Sequence, residues 1–194
     1  NQDGQPLRAT MMEKLLILLL AKTGNYVAGG GIWLNTQRPE WNDANNALAG
    51  WGLSVVTVSY LLRFVDLVSR LVSTVDDTRF AIHTEVAQWL RSTSSALRRV
   101  APEESHTPYS RYNLLELLGT AAEEYREQVY EYGFSSENEL DRGEVEEYLS
   151  IWRRHLVSTL ERTYTASDGF ESYQLLQIRG KEAHVRPLYL MLEG

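Results

Sequence analysis

Apolar residues recur at helical spacing through most of this 194-residue chain, and that periodicity limits its fold more than any other feature. The longest such segment runs from about Ala44 to Ser73 and has three charged side chains, Arg63, Asp66 and Arg70. Small residues occupy its other faces, which is typical of a helix that is buried on several sides. The segment therefore predicts a long central helix.

The same periodicity predicts further helices, separated by connections that contain glycine or proline. They cover about Thr10 to Lys22, the stretch after a capping sequence at Thr74 to Asp77, Arg111 to Tyr132, the stretch that begins with the capping-box sequence Asp141-Arg142-Gly143-Glu144, and a last short helix from Pro187. Residues 26–42, with three consecutive glycines, are predicted to form a loop. Because strands are nearly absent from this pattern, the expected fold class is all-α, built from antiparallel helical hairpins.

Charge and composition exclude several classes of protein. Lysine and arginine number 19 and aspartate and glutamate 26, so the formal net charge is -7, and no basic patch offsets the repulsion of phosphate. The absence of cysteine excludes disulfides, thiolate metal sites and cysteine nucleophiles. No two of the 4 histidines lie four residues apart on a helix, as a zinc site often requires. We therefore expect no nucleic-acid partner, no metal and no cofactor.

The apolar run from Leu15 to Ala21 is too short to cross a bilayer, which needs about 20 apolar residues. No small-residue cleavage site of the signal-peptide type follows it. We therefore expect no membrane partner, and a cytoplasmic location is favoured. Because the chain begins with Asn1 and ends at Gly194 without a polar tail, residues 1–194 are interpreted as one α-helical domain or partial barrel, truncated at both ends.

The segment from Trp33 to Asn46 concentrates polar and aromatic side chains directly before the most apolar helix. Its side chains comprise two carboxylates, one guanidinium, several amides and two indoles, from Trp33, Arg38, Glu40, Trp41, Asn42, Asp43, Asn45 and Asn46. Indoles stack on the apolar face of a pyranose, and amides and carboxylates bind its hydroxyl groups. The segment therefore predicts a carbohydrate site that Trp51 could extend. The same residues are also consistent with a purely structural role, in which Asp43 caps a helix and the indoles are packing residues.

The run Glu40-Trp41-Asn42-Asp43 resembles the acidic-Trp-Asn-Asp motif of the cellobiose phosphorylase family. More loosely, it resembles the wider group of (α/α)6-barrel glycoside hydrolases and phosphorylases, which includes the six-hairpin glycosidases. The longer string from Asn35 to Leu48 is similar to that of large, mostly uncharacterised bacterial proteins related to these enzymes. The chain differs from the phosphorylases in having Arg38-Pro39 before the motif, Ala44 after it and Glu40 in place of the usual aspartate.

The resemblance implies about half of an (α/α)6 barrel and an enzyme that cleaves a glycosidic bond by hydrolysis or phosphorolysis. It implies that Asp43 is the general acid that protonates the glycosidic oxygen, with Glu40 as a second catalytic candidate. The substrate subsite would be lined by Trp33, Arg38, Trp41, Asn42 and Asn45. The partners would be an oligosaccharide or glycoside substrate and the remainder of the barrel in a longer chain. The alternative is a non-catalytic helical module that binds a glycan or a partner protein through the aromatic loop of residues 33–51.

Overall fold

The computed structural model of the protein describes residues 8–35 and 47–188. The helices are α1 (Met11–Thr23), α2 (Val55–Thr74), α3 (Thr84–Arg99), α4 (Pro108–Tyr132) and α5 (Arg142–Arg162). The strands are β1 (Tyr26–Val27), β2 (Gly31–Trp33), β3 (Gly52–Ser54), β4 (Arg79–His83), β5 (Glu137–Asp141), β6 (Tyr164–Thr165), β7 (Gly169–Phe170), β8 (Tyr173–Arg179) and β9 (Glu182–Pro187). The fold is therefore mixed α/β, and the expected all-α class and (α/α)6 barrel are wrong.

Strands from both ends of the chain form one antiparallel sheet in the order β1-β2-β3-β8-β9. Strand β3 pairs with β2 through Ile32 and Ser54 and with β8 through Gly52 and Leu175. The pairs β4–β5 and β6–β7 form two small separate sheets. The five-stranded sheet therefore joins residues that are more than a hundred positions apart in sequence, a pairing that local periodicity does not encode.

The predicted helix over residues 44–73 is wrong at its beginning, because helix α2 starts only at Val55. Two glycines adopt a backbone that is not helical before Val55. Gly50 has φ +84°, and a Cβ at Gly52 would lie 2.3 Å from the Cβ of Leu48. Ser54 ends strand β3 and caps the helix, accepting a hydrogen bond from the backbone N–H of Thr57 at 3.1 Å. Residues 44–46 lie outside the described part of the chain.

Three other predictions fail where strands replace helical or irregular structure. The loop predicted over residues 26–42 contains the strands β1 and β2. The helix expected after Thr74 to Asp77 begins only at Thr84, because residues 79–83 pair with β5 as a strand. The tail does not start a helix at Pro187, since that residue ends strand β9 of the β8–β9 hairpin. Strand β4 pairs with the distant strand β5, whereas β9 pairs with the adjacent β8, and neither segment carries a long alternating pattern of its own.

Three helix predictions are confirmed. Helices α1, α4 and α5 lie within a few residues of the expected positions. The capping box is present at α5, where Asp141 Oδ1 accepts from the N–H of Gly143 at 2.8 Å and Glu144 Oε2 accepts from the N–H of Asp141 at 3.1 Å. Gly133 ends α4 with φ +76°. Helix caps that are formed by neighbouring residues can therefore be predicted from the sequence.

The main core lies between the five helices and the strands β4 and β5, with the indole of Trp152 fully buried within it. Tyr26 of strand β1 packs edge-on against Trp152, with ring centroids 4.7 Å apart. A smaller apolar cluster forms between the sheet and α4, from Val27, Leu53, Leu115, Leu176 and Ala183. Among the described residues, no helix is both long enough and apolar enough to cross a membrane.

A buried arginine connects the sheet to the helices. The guanidinium of Arg111, which begins the second turn of α4, donates to the carbonyl oxygens of Ala28 at 2.7 Å, Ala183 at 2.8 Å and His106 at 3.0 Å. Arg111 is only 7% exposed, and no described carboxylate forms an ion pair with its guanidinium. Burial and the nearby Arg162 lower the pKa of this guanidinium. The three carbonyl oxygens therefore supply the stabilisation that a counter-ion would otherwise provide.

Replacing Arg111 with methionine should lower the free energy of unfolding by about 2 kcal/mol or more, because buried carbonyl oxygens would lose charged donors. The measurement is urea denaturation followed by circular dichroism. Arg153→Met is the matched control, since the Arg153 side chain is 51% exposed and forms an ion pair with Asp66 at 2.8 Å. This control should change stability by less than about 1 kcal/mol. Equal losses in the two variants would show that Arg111 does not hold the sheet in place.

Candidate functional site

The structure fixes both ends of the segment on which the sequence places its candidate site. The residues predicted to act there, apart from Trp33, lie outside the described part of the chain: Arg38, Glu40, Trp41, Asn42, Asp43 and Asn45. Leu34 and Gly50, which flank this segment on its two sides, are paired. The N–H of Leu34 donates to the carbonyl of Gly52 at 2.9 Å, and the N–H of Gly50 donates to the carbonyl of Leu34 at 2.8 Å.

These two hydrogen bonds close the base of the β2–β3 connection, a name used here for residues 35–49. Strands β2 and β3 are antiparallel neighbours, so the connection leaves the sheet and returns to it at adjacent positions. Gly50 can make this return because its φ of +84° lies in the left-handed region that favours glycine. Segments whose ends are held by a rigid sheet often carry binding and catalytic residues.

The two indoles at the base of the β2–β3 connection differ in exposure. Trp33 is half-buried, packs against the apolar cluster around Val27 and Leu53, and donates from Nε1 to the carbonyl of Gly50 at 3.0 Å. Its polar group is therefore already used in closing the base. Trp51 is 51% exposed, while its carbonyl accepts from the N–H of Leu176 at 2.7 Å. Trp51 thus presents an aromatic surface on a backbone held by strand β8.

Sequence reasoning missed a second aromatic surface, beside the first turns of α2. A cavity of about 260 Å³ is lined by Val56, Tyr60 and Phe170 and by the polar residues Ser59, Arg63, Glu171 and Ser172. We call it the aromatic pocket. Tyr60 is 65% and Phe170 59% exposed, and the Phe170 ring lies 5.0 Å from that of Tyr164. The sequence feature that indicates this surface is the spacing of Val56, Tyr60 and Arg63 on one face of α2. It was not recognised because the helix was expected to be buried on several sides.

The aromatic pocket has binding chemistry but not the full set of groups for acid–base hydrolysis. Exposed rings suit an apolar sugar face, and Ser59, Arg63 and Glu171 can bind hydroxyl groups. Glu171 is the one carboxylate among the described residues that line it, and it accepts from Nε2 of Gln174 at 2.5 Å. A glycosidase of the usual kind needs two carboxylates on either side of the bond. The described lining of the aromatic pocket therefore offers groups that could bind a sugar but lacks the carboxylate pair of a glycosidase.

A histidine and a serine form the nearest approach to a nucleophile–base pair in the described residues. His106 Nε2 lies 3.1 Å from Ser158 Oγ, but Nδ1 of this histidine has no described partner that would orient the ring. Burial, together with the charges of Arg162 and Arg111, lowers the pKa of His106 to about 4. Such a weak base would remove a serine proton poorly at neutral pH. The pair therefore lacks the base strength and the ring orientation of a catalytic dyad.

No protein-family model matches the chain, and no curated protein matches its sequence. In addition, no three histidine, aspartate or glutamate side chains of residues 8–35 and 47–188 are grouped so that they could hold a metal ion. Function is therefore inferred from the residues and their geometry.

The lowered pKa of His106 predicts how stability depends on pH. The ordinary value is 6.5 and the folded value about 4, so between these pH values the unfolded chain binds the proton more readily. The free energy of unfolding should therefore fall as the pH drops from about 6.5 to about 4. The pKa of His155 is also lowered, by burial, and contributes in the same direction.

Denaturant titrations across this pH range would measure the effect, and His106→Gln should make the slope shallower. Ser158→Ala is the matched control, because it removes the hydrogen-bond partner but keeps the titrating ring in place. If His106→Gln leaves the slope of the unmodified protein unchanged, His106 is not the group that lowers stability in acid.

Proposed function

We propose that the β2–β3 connection binds a carbohydrate and that the chain cleaves a glycosidic bond there, with Asp43 as general acid. The observation that carries the proposal is the closed base of this connection. The hydrogen bonds between Leu34 and the Gly50 to Gly52 backbone attach both ends of a segment rich in carboxylates, amides and indoles to one position on the sheet. Trp51, 51% exposed at that position, would add a stacking surface for a sugar ring.

The proposed chemistry assigns a role to each charged residue of the motif. A general acid at neutral pH needs a raised pKa, which an apolar neighbour such as Trp41 and the negative charge of Glu40 would both promote. Arg38 would act in the opposite direction and would bind a sugar hydroxyl. Asp43 would protonate the glycosidic oxygen while water or phosphate attacks the anomeric carbon. Glu40 would either activate that nucleophile or bind a hydroxyl group of the substrate.

Support for this proposal comes from the motif and its anchoring, and not from the fold. The resemblance to (α/α)6-barrel enzymes implied a toroid of helical hairpins, whereas this chain carries the motif between two antiparallel strands. The same chemistry can occur on unrelated folds when the side chains converge. The residues Glu40 to Asp43 therefore have to be tested directly.

A second candidate function is glycan binding without catalysis, and the aromatic pocket favours it. Tyr60 and Phe170 expose large ring surfaces around a cavity that holds a single described carboxylate. Together with Trp51 they would provide a surface on which sugar rings stack, as in binding proteins that use aromatic side chains and a few hydroxyl-binding groups. In that case Asp43 would have no catalytic role.

Asp43→Asn separates the two functions, because it keeps size and hydrogen bonding but removes a transferable proton. Turnover of α- and β-linked disaccharides, with and without phosphate, should fall by about 10²-fold or more in this variant while sugar binding persists. A requirement for phosphate would identify a phosphorylase. Asp76→Asn is the matched control, since Asp76 is an exposed carboxylate of the α2–β4 connection, and it should leave turnover unchanged.

Unchanged turnover in Asp43→Asn would contradict the catalytic proposal. So would an unmodified protein that binds disaccharides in calorimetry but converts none of them. Loss of that binding in Tyr60→Ala and Phe170→Ala would then identify the aromatic pocket as the glycan surface.

A further inference from the structure

A stripe of large apolar side chains runs along the solvent-facing side of helix α2. Its four members are between 40% and 65% exposed: Val56, Tyr60, Leu67 and Leu71. An α-helix turns by about 100° per residue, so these positions lie within about 60° of one another. They lie opposite the side that packs into the core, which consists of Val58, Val65 and Val72. We call the exposed set the α2 stripe.

The spacing of the α2 stripe indicates a helical partner. With the half-buried Phe64 at its edge, the residues Tyr60, Phe64, Leu67 and Leu71 follow one another at intervals of four, three and four. This is the heptad spacing by which one helix packs along another. The whole stripe is about 22 Å long, at a rise of about 1.5 Å per residue. A partner helix of about four turns would therefore cover it.

The aromatic pocket lies at the N-terminal end of the α2 stripe. Val56 and Tyr60 belong to both, and Phe170, 59% exposed, adds a third apolar wall to the cavity of about 260 Å³. In protein interfaces, large side chains that enter such pockets contribute most of the binding energy. The pocket would therefore receive an apolar or aromatic side chain from one end of the partner helix.

Two arginines flank the α2 stripe on one side. Arg63 and Arg70 are exposed, lie seven residues apart and, with respect to Val56, are rotated by about 20–40° in the same direction. Neither forms an ion pair with a described carboxylate. Asp66, the one carboxylate of α2, instead accepts from Nε of Arg153 on α5 at 2.8 Å. The flank is therefore cationic and complements an acidic partner.

Two other occupants fit this surface less well. In an antiparallel helix pair the same flanks face each other, so a second copy of the chain would place arginines against arginines. In a parallel pair the arginines would face the opposite flank, where Leu61 and Val68 are buried in their own core. An anionic lipid surface would attract Arg63 and Arg70, but the net charge of -7 opposes the approach of the whole chain.

We propose that the α2 stripe binds an amphipathic helix of a partner protein, with apolar residues at heptad spacing and acidic residues on the flank that meets Arg63 and Arg70. This surface is independent of the glycosidic cleavage proposed for Asp43. It shares Tyr60 with the second candidate function, glycan binding in the aromatic pocket. Leu67 does not line that pocket and therefore distinguishes the two roles.

The probe is a fluorescently labelled peptide of three designed heptads, with leucine at both apolar positions and glutamate at both flanking positions. A second peptide has lysine in place of every glutamate. In anisotropy titrations the glutamate peptide should bind saturably and at least about tenfold more tightly than the lysine peptide, because contacts with Arg63 and Arg70 change from attractive to repulsive.

Leu67→Ser should weaken binding of the glutamate peptide by about tenfold or more, since it removes an apolar side chain from the middle of the contact. Leu18→Ser is the matched control, because Leu18 is 58% exposed on a different helix, α1, and it should leave the affinity unchanged. Asp43→Asn should also leave it unchanged, which separates this surface from the proposed catalytic site. Disaccharide binding should be unaffected by Leu67→Ser.

Reversing the charge of the flank gives the sharpest test. The double variant Arg63→Glu, Arg70→Glu should prefer the lysine peptide over the glutamate peptide. Arg126→Glu, at an exposed position of α4, is the matched control and should keep the original preference. If Leu67→Ser does not fold by circular dichroism, this reversal still decides the outcome.

Equal affinity for the two peptides, or an unchanged preference in the double variant, would overturn the acidic partner. Failure of both peptides to bind would overturn helix binding altogether. A dimer in sedimentation that Leu67→Ser abolishes would identify a second copy as the occupant instead. Association with phosphatidylserine vesicles that Leu67→Ser abolishes, without peptide binding, would identify a lipid surface and would equally overturn the proposal.

Discussion

The buried guanidinium of Arg111 is the interaction on which the position of the sheet depends. Strands β1, β2 and β3 contain only two or three residues each, too few to hold a sheet together by their own pairing. Arg111 reaches from helix α4 to the β1–β2 turn at Ala28 and to strand β9 at Ala183. It thereby fixes both edges of the sheet relative to one helix. The base of the β2–β3 connection lies inside that sheet, so the candidate site is held by the same contacts.

Tyr26 also holds the β1–β2 turn in place, through contacts with helix α5. Its hydroxyl lies 2.7 Å from Oγ1 of Thr159, which also accepts from the N–H of Gly29 at 3.1 Å, and burial raises the pKa of the phenol so that it stays neutral. The glycine run that follows, within the segment predicted as a loop, forms a tight turn between β1 and β2. A Cβ at Gly30 would lie 2.6 Å from Leu53, and one at Gly31 would lie 2.9 Å from the carbonyl of Ser54. These glycines are required because strand β3 passes so close to the turn.

The sequence predicted those features whose cause is local. The capping box at Asp141 and the stop at Gly133 depend on neighbouring residues, and both are present. Strand β3 could not be predicted, because its pairing partner in β8 lies about 120 residues away and its apolar residues continue the period of helix α2. The exposed ring of Tyr60 was missed because its helix was expected to be buried on several sides. Trp33 and Trp51 were recognised as unusual, but their different roles depend on the hydrogen bond to Gly50, which no pattern encodes.

The buried carboxylates show how the helices are attached to the segments between them. Oε1 of Glu13, in helix α1, accepts from the N–H of His83 at 3.2 Å and contacts Nδ1 of the same histidine at 2.6 Å. Oε1 of Glu85, in helix α3, accepts from the N–H of Ser135 at 3.0 Å and from its hydroxyl at 2.5 Å. The partners lie 70 and 50 positions away in sequence, so each carboxylate fixes its helix against a segment that local periodicity does not locate.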